Sequence, residues 1–433
     1  MSTTPPAVVP FESQPPQVMK RNFFLGAING VLFVFAETLF DPTLVVTSLA
    51  NQLGASAFIL GLFGPISSAG WYLPPFFVAG YVQSRPLKIA VYRGMSFIRI
   101  ACWILLAAVV NLVRDPAWIL ISLIVAYSIA SLASGIGGLP FLEVVSKTVP
   151  PVRRGELFAW RLGLGGLLGI TASGLVRWLL DPATPITFPN NYGLLAIGFC
   201  LFASISLMLF NQIKETPDAN PRPSRPFRQQ LRIALGIVRT SPNYRRHLLT
   251  QALLFVGVSA VPFYMVYVNR ELDAPLQWVG VYLAVQMVAN LLANLLFGWL
   301  SRRVGNQKVL TVGAAAGVIA AAIMTGMVLL AKPLAISGLT AAWLLTPVFA
   351  MVGIRVAAVG VASPSLMLNI VPPEERSLMI GFTQTVGGMV VLLTMTSGLI
   401  VGAVGYPALM IISLAAYIGA VLLALQIREH PDL

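Results

Sequence analysis

Glu37 and Asp41 stand four residues apart inside a long apolar run, so on a helix they share one face. An ionisable side chain at that depth in a membrane span costs roughly 2.5–3.5 kcal/mol on insertion scales, which marks it as a functional candidate. Two carboxylates at this spacing in a low dielectric are not expected to ionise together unless a cation pairs with them. The pair reads as a proton-binding or substrate-contacting site. Fixed salt bridges, or an opening onto a water-filled cavity, give the competing structural reading. Counting 1.5 Å per residue from Phe24 puts Glu37 roughly 20 Å along its helix, just beyond the midplane, with Asp41 one turn further and directly before Pro42.

Other polar residues interrupt the apolar runs. Arg355 is the only basic residue within its run, and Arg99 lies in another, where snorkelling toward the surface near Arg93 is the expectation. Glu143 sits one turn before Lys147, and pairing with Lys147 or Arg85 is expected. Gln286, Asn290 and Asn294 form a stripe at i, i+4 and i+8 that suits interhelical hydrogen bonding or cavity lining. Tyr264 and Tyr267, near the end of another run, are further candidates for a cavity wall.

The elements that carry these residues follow from composition. Hydrophobic residues make up 57% of the 433 and charged residues only 10%, against about 25% charged in a soluble protein. Mean hydropathy is +0.83. Twelve apolar segments fall at 22–50, 57–82, 87–112, 116–147, 157–180, 192–213, 246–269, 276–301, 308–331, 336–369, 377–401 and 407–427. Each reaches the length of roughly 20 residues that a helix needs to cross the hydrocarbon. Only helices or closed barrels satisfy their backbone there, and these runs are too long for barrel strands. The chain is expected to be an all-α, multi-pass membrane protein.

The net charge of +13 has a topological explanation. Twenty-two Lys and Arg residues fall on the side of the termini and the central loop, against Arg114, Arg177, Arg270 and Lys332 on the other. This asymmetry places both termini in the cytoplasm and leaves nucleic-acid binding unsupported. Residues 1–21, with five prolines, read as a disordered cytoplasmic tail rather than a signal peptide. Residues 429–433 form a second short cytoplasmic tail.

The sequence also repeats. Pro42 matches Pro262 at an offset of 220, Leu53-Gly-Ala-Ser56 matches Leu272-Asp-Ala-Pro275 at 219, Gly80 matches Gly298 at 218, and Val149-Pro-Pro matches Val371-Pro-Pro at 222. Two six-helix bundles, 22–213 and 246–428, are the simplest reading. The polar, proline-rich residues 214–245 join them. Within that linker, residues 228–239 put Leu231, Leu235 and Val238 on one face and Arg228, Arg232 and Arg239 around the other. That suits a helix on the inner membrane surface, with a solvated basic linker as the alternative.

Two loops carry a resemblance to a known family. Gly80-Tyr-Val-Gln-Ser84-Arg85-Pro-Leu-Lys88 and Gly298-Trp-Leu-Ser-Arg302-Arg303-Val-Gly305-Asn-Gln-Lys308 are similar to the Gly-x-x-x-Asp-Arg-x-Gly loop of the major facilitator superfamily. The acidic position is Ser84 in one copy and Arg302 in the other, and the second glycine is present only in the C-terminal copy. The resemblance covers residues 20–430. It implies two pseudo-symmetric bundles with spans one, four, seven and ten around a central cavity, which would set Arg355 opposite Glu37 and Asp41. It also implies a gating role for Arg85 and Arg303. The family's antiporter signature has a proline in the fifth span, and none lies between Gly163 and Gly174.

The function expected from these observations is proton-coupled secondary transport of a small organic molecule across the bacterial cell membrane. Glu37 and Asp41 would couple protons, and the chain would act as a monomer. A lipid or amphiphile translocator, or a non-transporting assembly factor, are the alternatives. No enzyme site is visible, and the absence of a Gly-Lys-Ser/Thr phosphate loop leaves ATP-driven transport unsupported. Cys102 and Cys200 sit in apolar runs, and His247 and His430 are isolated, so no metal or other cofactor is expected.

Overall fold

The computed structural model describes residues 15–218, 227–372 and 375–428. Residues 1–14, Asn220, Arg222, Arg225 and residues 429–433 lie outside them. No strand occurs among the described residues. Eleven helices there are long and apolar enough to cross a membrane: Pro16–Gln52, Lys88–Leu112, Pro116–Thr148, Arg153–Leu179, Asn190–Asn211, Pro242–Leu272, Trp278–Val304, Asn306–Leu330, Gly338–Met367, Leu378–Val404 and Tyr406–Leu425.

The twelfth crossing, second in order, is made in pieces: Ala57–Leu60, Phe63–Tyr72 and Pro74–Gln83. Pro74 and Pro75 have no N–H, so the carbonyls of Gly70 and Trp71 lose their helical donors and the helix breaks there. Gly135 of the fourth span makes room for the break. A Cβ on Gly135 would fall 2.1 Å from the Gly70 oxygen and 2.9 Å from that of Trp71.

Twelve crossings form two six-helix halves, and the repeat seen in the sequence is a repeat of backbone shape. The first span breaks at Asp41–Pro42 and the seventh at Ser259–Ala260, just ahead of Pro262. Both spans then end in a left-handed residue, Gly54 with φ +78° and Asp273 with φ +54°. The matching sequence motif thus encodes one turn used twice. The fourth and tenth spans extend as helices over 33 residues each, Pro116–Thr148 and Gly338–Ile370.

One side of the molecule carries the beginning and end of both halves. Asn22 Nδ2 donates to the Lys214 carbonyl at 3.0 Å, joining the start of the first span to the end of the sixth. Arg246 Nη1 donates to the Gln426 carbonyl at 2.9 Å, joining the seventh to the twelfth. On this linker side, the first helix begins at Pro16, so residues 16–21 are helical rather than tail. Pro16 occupies the first turn, where a missing N–H costs nothing. The linker forms a helix over Phe227–Thr240. Phe227 packs on Phe76 and Phe77 of the second span at 5.4 and 5.8 Å, and Phe76 also meets Phe382 of the eleventh at 6.0 Å.

On the far side the two halves are sealed together. Asn51 Nδ2 donates to Asn269 Oδ1 at 3.2 Å, and Arg270 Nη2 donates to the Ala55 carbonyl at 3.1 Å. Gly61 and Gly398 bring their backbones so close that a Cβ on Gly61 would lie 2.8 Å from the Gly398 nitrogen. Small residues at crossing points are what allow helices to approach in the absence of a hydrophobic drive between them.

Candidate functional site

A cavity of about 250 Å³ lies within the N-terminal half, lined from five spans. The first contributes Phe33, Glu37 and Phe40, and the second Ser67, Ser68, Trp71 and Tyr72. The third brings Arg99 and Trp103, the fourth Tyr127, Ser131 and Ser134, and the sixth Phe199. Glu37 lies deep in the bundle, yet its side chain is exposed, and what it faces is this cavity. It makes no hydrogen bond or close ion pair with the described residues.

The guanidinium facing Glu37 is Arg99, not Arg355. Snorkelling fails for Arg99 because of the face it occupies. Tyr92, Ser96, Arg99, Trp103 and Leu106 follow one another at three- and four-residue steps and are all buried, while Phe97, Ile98, Ile104 and Leu105 face outward. Arg99 is 7% exposed. Its guanidinium lies 5.0 Å from the centre of the Phe33 ring and 5.7 Å from that of Trp103. These contacts stabilise the cation without using its N–H groups. Among the described residues, Nε has no hydrogen-bond partner and no carboxylate forms an ion pair with the guanidinium.

Asp41 does different work. Its Oδ1 accepts from the Thr43 amide at 2.9 Å, the Leu44 amide at 2.8 Å and the Thr43 hydroxyl at 2.7 Å, capping the single π-turn Pro42–Val46. Tyr127 closes the other edge of the break, donating from its hydroxyl to the Phe40 carbonyl at 2.9 Å. That phenol is also within electrostatic reach of both carboxylates. The groups facing Glu37 are therefore Asp41 on its own span, Arg99 on the third and Tyr127 on the fourth.

Arg355 sits among tyrosines in the middle of the molecule, in electrostatic reach of Tyr72, Tyr264 and Tyr417. Its Nε is also buried without a partner. Tyr72 is the link: it lines the Glu37 cavity and meets Phe255 of the seventh span edge-on at 5.1 Å. Tyr264 and Tyr267 do not line this cavity. They are 0% and 3% exposed, and Tyr267 packs edge-on against Tyr406 at 5.1 Å.

The polar stripe of the eighth span acts between helices. Asn290 Nδ2 donates to the Gly353 carbonyl of the tenth span at 3.4 Å, and Asn294 Nδ2 donates to Asn290 Oδ1 at 2.9 Å. Gln286 marks the same seam, since a Cβ on Gly353 would lie 2.4 Å from its carbonyl oxygen.

The loop residues form two kinds of contact on the linker side. Arg85 stacks on Tyr81 at 4.5 Å and Arg303 on Trp299 at 4.3 Å, the same pairing at an offset of 218. Gly305 ends the eighth span with φ +90°, a conformation that favours glycine. A Cβ on Gly298 would meet nothing within 4 Å, so close helix approach does not explain that glycine.

Lys88 is 2% exposed. It donates to the Gln83 carbonyl at 3.0 Å and to the Arg85 carbonyl, and pairs with Asp218 at 3.1 Å and Glu143 at 3.9 Å. Glu143 thus pairs with Lys88, while Lys147 turns to Glu215 and Asp218, both at 2.8 Å. Burial acts to raise the Asp218 carboxyl, but hydrogen bonds from Lys147 and Lys88 outweigh it and hold it below the usual aspartate range.

Two participants escape a reading by hydropathy. Arg161, one of the twenty-two basic residues assigned to the side of the termini, lies inside the fifth helix and donates to the Gly26 carbonyl at 2.5 Å and to Asn29 Oδ1 at 2.7 Å. Glu215 follows the sixth span, and its carboxylate accepts from the Lys88 and Ile89 amides at 3.1 and 2.7 Å. Its capping geometry appears only once the loop and linker meet.

A family model described as the Major Facilitator Superfamily matches residues 26–395 and 248–433. The chain belongs to the major facilitator superfamily. Solved transporters share the fold: a D-xylose-proton symporter (TM-score 0.69, 15% identity, 93% of this chain and 97% of that one) and the nucleoside transporter NupG (0.68, 16%, 94% and 98%). An auto-inhibited POT family peptide transporter is similarly related (0.67, 13%, 95% and 98%). Comparison with curated proteins finds no match. This superfamily member is a multi-pass membrane transporter rather than an enzyme, and transporters of this fold work in the lipid bilayer on small molecules.

Proposed function

We propose that the chain is a proton-coupled secondary transporter of a small organic molecule, moving it by alternating access, with Glu37 as the proton-linked carboxylate. The observation that carries this reading is Glu37 itself: a carboxylate deep in a span, turned into a cavity, without a donor among the described residues and facing a buried guanidinium. A carboxylate in that position exchanges its proton with whichever side the cavity opens to, which is what coupling requires. Asp41 supports the local backbone, and Arg355 tunes the neighbouring tyrosines. The distribution of Lys and Arg supports a cytoplasmic linker side, with 22–213 and 246–428 rocking as monomeric halves about the sealed far side.

The test is transport in proteoliposomes, screening small organic compounds with and without a pH gradient. Glu37→Gln keeps size and hydrogen bonding while removing titration. It is expected to lose gradient-driven accumulation while retaining exchange. Unchanged gradient-driven accumulation in this variant overturns the assignment.

A further inference from the structure

We infer that the cavity takes a small organic anion, a carboxylate on an apolar or aromatic body, with its charged end on Arg99. This rests on reading the cavity as the substrate site. Arg99 is buried, lines the cavity, and has an Nε without a partner. Leaving a buried cation without an acceptor is costly, and a ligand carboxylate is the group that removes the cost. Phe33 and Trp103 cover the guanidinium and hold it in place, so its N–H edge is what a ligand meets. Two hydroxyls of the wall are already used, Ser131 Oγ donating to the Ser67 carbonyl at 2.6 Å and Ser134 Oγ to that of Ala130 at 2.8 Å, while Trp103 Nε1, buried without a partner, is a neutral donor beside the guanidinium.

Charge balance favours an anion over an amine. Glu37 and Asp41 are the carboxylates deep in the spans, Glu143 lying near the end of its span and paired with Lys88, and Asp41 is committed to its cap. Against them stand the three guanidiniums of Arg99, Arg161 and Arg355. An ammonium would add to an excess of positive charge, whereas an anion reduces it. Uptake of a proton by Glu37 would strengthen the preference, because it removes the one negative group that faces the ligand.

The purified full-length protein in detergent can be titrated by calorimetry at pH 7 with four compounds that share a body: phenylacetate, phenylacetamide, phenethylamine and phenylalanine. Saturable binding of phenylacetate in preference to the other three is expected. Arg99→Gln should weaken it more than about tenfold, the scale of a lost charge-assisted hydrogen bond. Glu37→Gln should bind phenylacetate more tightly than the native chain. Preference for the amine, the amide or the zwitterion, no saturable phenylacetate binding, or undiminished binding in Arg99→Gln overturns the inference. Should Arg99→Gln fail to fold, the ranking of the four compounds on the native chain decides alone. Binding of phenylacetate without gradient-driven accumulation leaves the ligand class standing and removes proton coupling. Gradient-driven accumulation of an amine does the reverse.

Discussion

The break in the first span leaves the amides of Thr43 and Leu44 at the start of a new turn, and Asp41 accepts both through Oδ1 together with the Thr43 hydroxyl. A side chain that satisfies the first free amides of a helix contributes about 1 kcal/mol. Asp41→Ala should therefore lower the unfolding free energy in detergent by about 1 kcal/mol, while Asp41→Asn keeps an acceptor and most of the stability. The same pair separates the cap from proton coupling. Asp41→Asn should retain pH-driven transport, and its loss in a well-folded Asn variant would move the coupling site from Glu37 to Asp41. From sequence the two acids differ only in position, since Pro42 after Asp41 announces a break without saying which side chain caps it.

At the scale of elements, the segment after the sixth span is held against the loop between the second and third. Glu215 caps the third helix through the Lys88 and Ile89 amides and binds Lys147, while Asp218 bridges Lys88 and Lys147. Removing one partner from a buried charged cluster leaves the others uncompensated, at a cost of about 3 kcal/mol or more. Glu215→Gln should lower the thermal midpoint accordingly. Asp218 adds a pH dependence of known sign. Its carboxyl is held below the unfolded value, so its stabilisation is present above the ordinary aspartate range and is lost as pH falls through the lowered folded value. Asp218→Asn should lower the midpoint at pH 7 and flatten its decline in acid; an unchanged acid slope would show that the clamp does not depend on this carboxylate. The spans and their repeat are legible from hydropathy and offsets, and so is Glu37 at a midplane position. Helix facing is not. In a bilayer both the lipid-facing and the buried side of a helix are apolar, so the third span shows no period that turns Arg99 inward. The fifth span likewise hides Arg161, which stands only four residues inside its apolar run, where a charge at the membrane surface and one turned into the bundle look alike. The Glu215 clamp joins residues 68 to 127 positions apart, and nothing local marks it.

Across the whole molecule, the far side is closed by contacts between halves while the Glu37 cavity lies within the N-terminal half. Asn51 and Asn269 occupy equivalent places in the repeat, one offset of 218 apart, and hydrogen-bond directly to each other at 3.2 Å. Arg270 adds a second tie by donating to the Ala55 carbonyl beside the left-handed Gly54 turn. If the halves rock about the cavity, these bonds must break in each cycle, because access from the far side passes between the first and seventh spans. A pair of cysteines at Asn51 and Asn269 tests this in a chain whose own Cys102 and Cys200 are half-buried within spans and can be replaced by alanine. Cross-linking should proceed in the resting protein, abolish transport, and be reversed by reduction with recovery of activity. Binding of a transported compound should change the cross-linking rate, since substrate shifts the balance between the two states only through unequal affinity for them. Full transport by the cross-linked protein would mean that the far side never opens here, and would rule out a rocking cycle through this interface.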